Sequence, residues 1–330
     1  MMPLYTPGGG GDSGGDTSEG VEDHRHDGYL PEHHTHIDSN DNKTSTGNYN
    51  ASYPKPSETA PPAVFGDSIG DKKTFAVTNA VETLSVRAAE YTIDVKGGRG
   101  GYSGAGGSAA RGAIGQGVFT LDSDSDMKFV VGDAGGDGNG TDYAHGAGGG
   151  GSYAWVNGAT DPLIVAGGGG GNTRYYTYKN ANSGPDGLSG NGQGEAGGTG
   201  GDGGFSDFKI GGGAGWFTSG QESSNSPDTY PESNGHHPTA STDPGLGGVG
   251  SDSDSSAPDG GFGGGGGAGL GGGGGGGYSG GGSGNGDDSQ DDGSSGGGGG
   301  SYSQDSNTSF ATSDSGGNLD PGEIVIERTA

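Results

Sequence analysis

The chain contains no cysteine in its 330 residues. It therefore has no disulfide scaffold and no thiolate ligand or nucleophile, and robustness outside a cell has to come from packing and hydrogen bonds. Positive charge is scarce: 14 Lys plus Arg stand against 42 Asp plus Glu, a formal net charge of −28. Such a surface repels phosphates, which argues against nucleic acid as a partner. Long apolar runs are missing as well. No stretch approaches the roughly 18 apolar residues that span a bilayer, so membrane insertion is not expected. The start, Met1-Met2-Pro3-Leu4-Tyr5-Thr6-Pro7, lacks the charged and apolar regions of a secretory signal. A protein with this profile can still reach the outside of a cell if it is assembled into a virion in the host cytoplasm and released by lysis, which is the localisation expected; a cytoplasmic protein is the alternative. Helical periodicity is absent, and no helix is expected.

Glycine is what the chain has instead: 87 residues, with the longest tracts at Gly8–Gly11, Gly148–Gly151, Gly167–Gly171, Gly263–Gly267, Gly271–Gly277 and Gly296–Gly300. Glycine at this level without a strict three-residue repeat usually marks disorder, because glycine loses the most backbone entropy on ordering and buries nothing. It has a second use. Extended left-handed helices packed side by side leave no room for a Cβ, and only glycine lets their backbones hydrogen-bond closely. That second use is the expectation here. The acidity points to concentrated salt as solvent, since the Debye length falls to about 3 Å at 1 M and self-repulsion becomes tolerable.

Three regions follow from the pattern. Residues 1–68 hold many His, Pro, Ser, Thr and Asp and few large apolar side chains, so they read as an extended attachment arm. Residues 69–166 read as a small β-sandwich with the first glycine-rich segments. Phe75 and Val77, Leu84 and Val86, then Tyr91, Ile93 and Val95 alternate with polar neighbours, and Val118–Leu121, Met127–Val131, Tyr153–Val156 and Leu163–Ala166 are further strand-like runs. Residues 167–330 read as a polyglycine-II helix bundle with polar and aromatic loops, closed by a strand at Ile324–Ile326. The fold class expected is all-β plus a glycine-rich rod lattice.

The run Tyr91-Thr92-Ile93-Asp94-Val95-Lys96-Gly97-Gly98-Arg99-Gly100-Gly101 resembles the strand that enters the glycine-rich domain of the anaplastic lymphoma kinase receptor family and of many phage proteins. Gly148–Gly151 with Ser152-Tyr153-Ala154-Trp155-Val156, then Pro162–Ala166 leading into Gly167–Gly171, is similar to the same domain, as is the closing Gly322–Glu327. The resemblance spans about Phe75 to Arg328, and its specificity lies in the strand–glycine junctions. It implies a β-sandwich feeding a bundle of polyglycine-II helices, the bundle that phage tail-fibre adhesins use with receptor contacts on loops at its tip. The chain lacks the receptor family's cysteines, membrane span and kinase, which puts its signalling role aside.

Several constellations suggest chemistry. His24 and His26 lie two apart, and His34 and His36 repeat the spacing, so on an extended chain each pair projects to one side. Phage fibres resemble this where such a pair from each of three chains holds a metal, and imidazole suits Zn, Fe or Ni; a solvated histidine cluster is the alternative. Asp122-Ser123-Asp124-Ser125-Asp126 has alternate carboxylates that could take Ca, but Met127 stands where an EF-hand loop needs glycine. Asp137, Asn139, Thr141 and Asp142, the pair Asp252 and Asp254, and Asp287 to Asp292 are other possible oxygen ligands or simply solvated surface. No enzyme motif holds. Gly66 to Thr74 has the wrong glycine spacing for a phosphate loop, and no serine sits in a nucleophile-elbow context.

The function expected is a virion fibre or spike adhesin that recognises the surface of a halophilic host. The arm would join other virion proteins, most simply as a homotrimer. The loops would meet a host surface glycoprotein or glycan through Arg174, Tyr175, Tyr176, Tyr178, Trp216, Phe217, Tyr230, His236, His237, Tyr302 and Phe310. Tyr and Trp give stacking area at small entropic cost. For Trp216, flanked by Gly215 and Phe217, core packing is an equal alternative. A structural cell-surface or capsid-decorating protein without receptor binding is the alternative function.

Overall fold

Alternation of side chains builds the first sheet. In β3 (Glu90–Lys96) Tyr91, Ile93 and Val95 are buried while Thr92 and Asp94 are only partly so, and β12 (Glu323–Arg328) buries Ile324 and Ile326 in the same way. The two pair antiparallel, Ile324 opposite Val95 and Ile326 opposite Ile93. With β1 (Lys72–Phe75), β4 (Ile114–Thr120) and β11 (Phe310–Ala311) they form a five-stranded antiparallel sheet in the order β1-β12-β3-β4-β11. The computed structural model describes residues 64–104, 108–138, 145–174, 177–207, 209–223, 231–251, 257–286 and 293–330. All of them fall in one compact unit, Pro62–Ala330.

A second five-stranded antiparallel sheet has the order β10-β7-β6-β5-β2. Its strands are β2 (Glu82–Val86), β5 (Ser125–Val130), β6 (Ser152–Val156), β7 (Ile164–Ala166) and β10 (Tyr302–Ser303). Met127, Phe129, Ala154, Ile164 and Ala166 from this sheet share one apolar core with Phe75, Ile93, Val95, Phe119, Ile324 and Ile326 from the first. Phe75 stacks on Phe129 with ring centroids 4.2 Å apart. Each such buried side chain contributes about 1.5–3 kcal/mol, so this core is the main apolar source of stability in a chain otherwise poor in large side chains.

β6 and β7 are buried almost without a break, since the second sheet is covered on its other face too. There Val130, Tyr153, Trp155 and Val165 meet Trp216 and Phe262 from the glycine-rich part. No α-helix occurs among the described residues; one 3-10 turn, Pro231–Ser233, and a parallel pair, β8 (Phe205–Ser206) with β9 (Gln221–Glu222), complete the elements. Phe65, on the arm side of the expected boundary at residue 68, already bridges to Val86 and rests on Tyr91. The strands expected from the sequence are present, the closing β12 among them, although β1 ends at Phe75 before Val77, and the sheets also draw in β10 and β11 from the far end of the chain.

Glycine-rich segments are excursions between neighbouring strands. Residues 97–113 join β3 to β4, residues 131–151 join β5 to β6, and residues 167–301 join β7 to β10, each an antiparallel pair. Buried hydroxyls sit where the excursions leave the sheets. Ser152 Oγ donates to the Lys96 carbonyl at 2.6 Å and accepts from Gly132 N at 2.9 Å, and Ser301 Oγ accepts from Gly167 N at 3.1 Å. Asn318 closes the first excursion by donating Nδ2 to the carbonyls of Gly97, Asp320 and Pro321.

The excursions bond to one another with a repeat of three residues. Gly168 and Gly171 donate to Gly276 and Gly273, Gly169 and Asn172 donate to Gly98 and Gly101, and Gly170 donates to Lys179, at 2.7–3.1 Å. Carbonyls of the same segment accept from Gly296 and Gly299, from Gly146 and Gly149, and from Ala113. Six surrounding stretches are thus bonded to one extended strand of chain. Gly272, Gly275 and Tyr278 likewise donate to Ser294, Gly297 and Gly300, Gly273 and Gly276 to Gly146 and Gly149, and Gly274 and Gly277 to Gly211 and Ala214. Backbone groups buried this densely must all find partners, and here they find each other. At Gly169 an added Cβ would stand 2.5 Å from the Ala110 carbonyl oxygen, which is why side chains are excluded.

Candidate functional site

The expected contact residues do not form one surface. Trp216 is 2% exposed, donates Nε1 to the Thr160 carbonyl at 2.8 Å, and meets the Trp155 ring edge-on at 5.4 Å. It belongs to the second core, the packing alternative the sequence had left open, and an indole sealed between sheet and glycine segments offers nothing to a partner. Phe217, 43% exposed, covers Gly201. Tyr178 hydrogen-bonds the Asp314 carboxylate, a contact that raises the phenol's pKa and, after the larger effect of Asn180, helps lower that of Asp314. Arg174 is exposed beside buried Thr173. Tyr175, Tyr176, Tyr230, His24, His26, His34 and His36 lie outside the described residues, as do Asn139, Thr141, Asp142, Asp252, Asp254 and Asp287 to Asp292.

Tyr302 and Phe310 are brought together. They flank a hollow of about 240 Å³ with Ser183, Pro185, Ser306 and Thr308 on its walls. Tyr302 stacks on Tyr278 at 4.3 Å, and Phe310 packs over Gly115, so both rings are partly committed to the fold. Asp305, also in this hollow, is held ionised by backbone donors Asn307 and Val118, which lower its pKa. The acidic run at Asp122 to Asp126 is engaged too: Asp124 binds Arg87 at 3.0 Å and the Ala88 amide at 2.8 Å, and Asp126 accepts from Ser85 Oγ. Among the described residues no group of three or more His, Asp or Glu is placed to hold a metal ion.

Two hollows lie where the second sheet meets the glycine-rich part. One, of about 430 Å³, is lined by Asn79, Ala80, Val81, Asp243, Pro244, Leu246 and Phe262. The other, of about 390 Å³, shares Val81 and Pro244 and adds Lys128, Trp155, Asn157, Ala159, Pro238, Thr239 and Ala240. Together they make a groove with one wall from the turn before β2 and the β6–β7 turn, and the opposite wall from residues 238–246. Asn79 and Asp243 stand at its lips with positive φ of 54° and 48°, a conformation Asn and Asp enter more easily than other side chains.

His237 orients the loop on that wall. Its Nδ1 lies 3.1 Å from Thr239 Oγ1, and burial, with a smaller contribution from His236, lowers its pKa so that the neutral ring is favoured. The His236 amide donates to the Leu246 carbonyl at 2.8 Å, and Gly245 and Ala240 donate to the His237 carbonyl at 3.1 Å. The histidines expected as contacts therefore brace the groove wall. Lys128 and Trp155 were not signalled as site residues by the sequence, because on β5 and β6 they look like ordinary strand residues, and Val81 and Asn157, just before β2 and just after β6, carry no local signal either. A groove of this volume, apolar with a few convergent polar groups, suits a small ligand or a segment of a larger one.

Neither the protein-family models nor the curated proteins compared with this chain give a match. No helix among the described residues is long and apolar enough to cross a membrane.

Proposed function

We propose that this chain is a virion fibre or spike adhesin working in concentrated salt, with a β-sandwich rooting a polyglycine-II bundle and loops between them meeting a host surface glycan or glycoprotein. The observation that carries the reading is the threefold bonding of the excursions, in which one glycine segment is bonded to six surrounding stretches of chain. Polyproline-II-type chains turn once in three residues, so donors three apart point the same way. A body built like this is stiff without cysteine, and stiffness is what a distal attachment module requires. The charge of −28 suits a molecule that stays dispersed in molar salt. In this reading the arm joins other virion proteins and trimerises, and the groove at the sheet–glycine junction is the contact site.

Confinement of Trp216 to the core favours the second reading, a structural cell-surface or capsid-decorating protein with no receptor. Mass spectrometry of purified virions and of cell envelopes separates virion from cellular origin. Purified chain should then bind host envelopes saturably in molar NaCl, and Val81→Trp, which fills the shared centre of the groove, should reduce binding at least about tenfold, roughly 1.4 kcal/mol, with an unchanged melting temperature. Saturable binding that Val81→Trp leaves intact would remove the groove from the reading, and absence of binding would favour the structural protein.

A further inference from the structure

Lys128 is one of the few cations of the chain, and its position is unusual. On β5 it stands directly opposite Trp155 of β6, so both side chains leave the sheet on the face turned toward the glycine-rich part. Several other basic groups are paired: Arg87 with Asp67 and Asp124, Arg99 with Asp137, Lys96 with Glu323, Lys72 with Glu327, while Arg111 and Arg328 donate to backbone carbonyls and Lys73 lies over the Phe75 ring. Lys128 makes no ion pair or side-chain hydrogen bond among the described residues and instead lines the groove. In a protein with three acids for every base, a lysine left uncompensated beside an indole is a local reversal of sign.

The rest of the groove has a mixed chemistry. Asn79 and Asn157 present amide groups with no side-chain partner among the described residues, while Val81, Pro244 and Phe262 supply apolar wall. Saccharides show the same mixture, with C–H faces that pack on apolar surface and hydroxyls that pair with amides. A lysine ammonium adds one contact of a different kind, to a carboxylate or sulfate.

We infer that the groove takes a saccharide bearing an anionic group, with Lys128 as the residue that selects the charge. This rests on the adhesin reading and names its ligand class. The neighbouring Asp243 carboxylate at the far lip disfavours a second anion, so a singly charged unit flanked by neutral sugar is the ligand that fits. Contact pairing survives molar salt better than long-range attraction does, since screening acts on separations beyond the Debye length of about 3 Å at 1 M.

The test is calorimetric titration of the full chain in molar NaCl with three oligosaccharides: a galacto-oligosaccharide carrying one galacturonate unit, one carrying a single sulfate, and the neutral galacto-oligosaccharide. At least one anionic probe should bind about tenfold or more tightly than the neutral one, and which it is distinguishes carboxylate from sulfate. Lys128→Gln should erase the preference and Lys128→Arg should keep most of it, both melting like wild type. Equal affinity for charged and neutral probes, or a preference that Lys128→Gln leaves intact, overturns the inference and leaves the adhesin reading standing. If no oligosaccharide binds while host envelopes still do, the ligand class is wrong. If neither binds, the adhesin reading falls as well.

Discussion

Replacing Gly274 by valine is expected to destabilise the glycine-rich body severely. A Cβ there would sit 2.7 Å from Gly213 N and still closer to the Gly281 carbonyl oxygen, both rigid backbone atoms. No flexible side chain can move aside. Overpacking of this kind typically costs about 1–3 kcal/mol, and here several bonded segments must shift together, so a loss at or above the top of that range is expected. Gly184 is the matched control, because the nearest atom to an added Cβ is the Asn182 Nδ2 at 3.8 Å. Gly184→Ala should leave stability unchanged or raise it by about 0.4–1 kcal/mol through the unfolded chain's lost freedom. Denaturant titration of the two variants measures the contrast, and equal midpoints would mean that the close packing around Gly274 carries no energy.

Trp216→Ala should be the most damaging side-chain truncation outside the main core. The indole is 2% exposed, packs against Trp155 and Tyr153, and ties the glycine-rich part to the second sheet. Truncating a buried Phe or Trp costs about 3–5 kcal/mol, and here the Thr160 carbonyl also loses its donor. Phe217→Ala, one residue on and 43% exposed, should cost much less. Thermal melts with near-ultraviolet circular dichroism, which follows the Trp155–Trp216 pair, read both variants. A Trp216→Ala protein as stable as Phe217→Ala would contradict the second core.

Strands were legible where one face is buried and the other wet, because alternation is then written into the chain, as in Tyr91, Ile93 and Val95 or Ile324 and Ile326. They were also legible at β6 and β7, where burial on both faces gives short apolar runs bounded by glycine. β4 is longer than its pattern suggests, since Gly115 and Gly117 stand in it where the Phe310 and Phe119 rings cover the backbone. The short β8, β9, β10 and β11, two residues each, carry no periodicity to read.

The groove was less legible for a different reason. Asn79 to Val81, Lys128 and Pro238 to Leu246 are far apart in sequence and meet only through the fold, and nothing local in a strand such as Ser125–Val130 marks its lysine as uncompensated. Conspicuous aromatic side chains drew attention to Trp216, Tyr302 and Phe310, yet large rings in a chain so poor in them are needed first for burial. Tyr153 illustrates the point: its hydroxyl donates to the Gly277 carbonyl at 3.0 Å inside the protein, and burial pushes its pKa far above that of an ordinary phenol.

Amide hydrogen exchange followed by mass spectrometry tests the account most directly, because it asks whether the glycine amides are bonded. Peptides covering residues 146–151, 167–172 and 272–278, where successive amides donate to neighbouring segments, should exchange as slowly as those from β3 and β12. Full exchange of these peptides within seconds, while β3 and β12 remain protected, would show that the glycine tracts are loops on a β-core and would contradict the rigid body on which the proposed function rests.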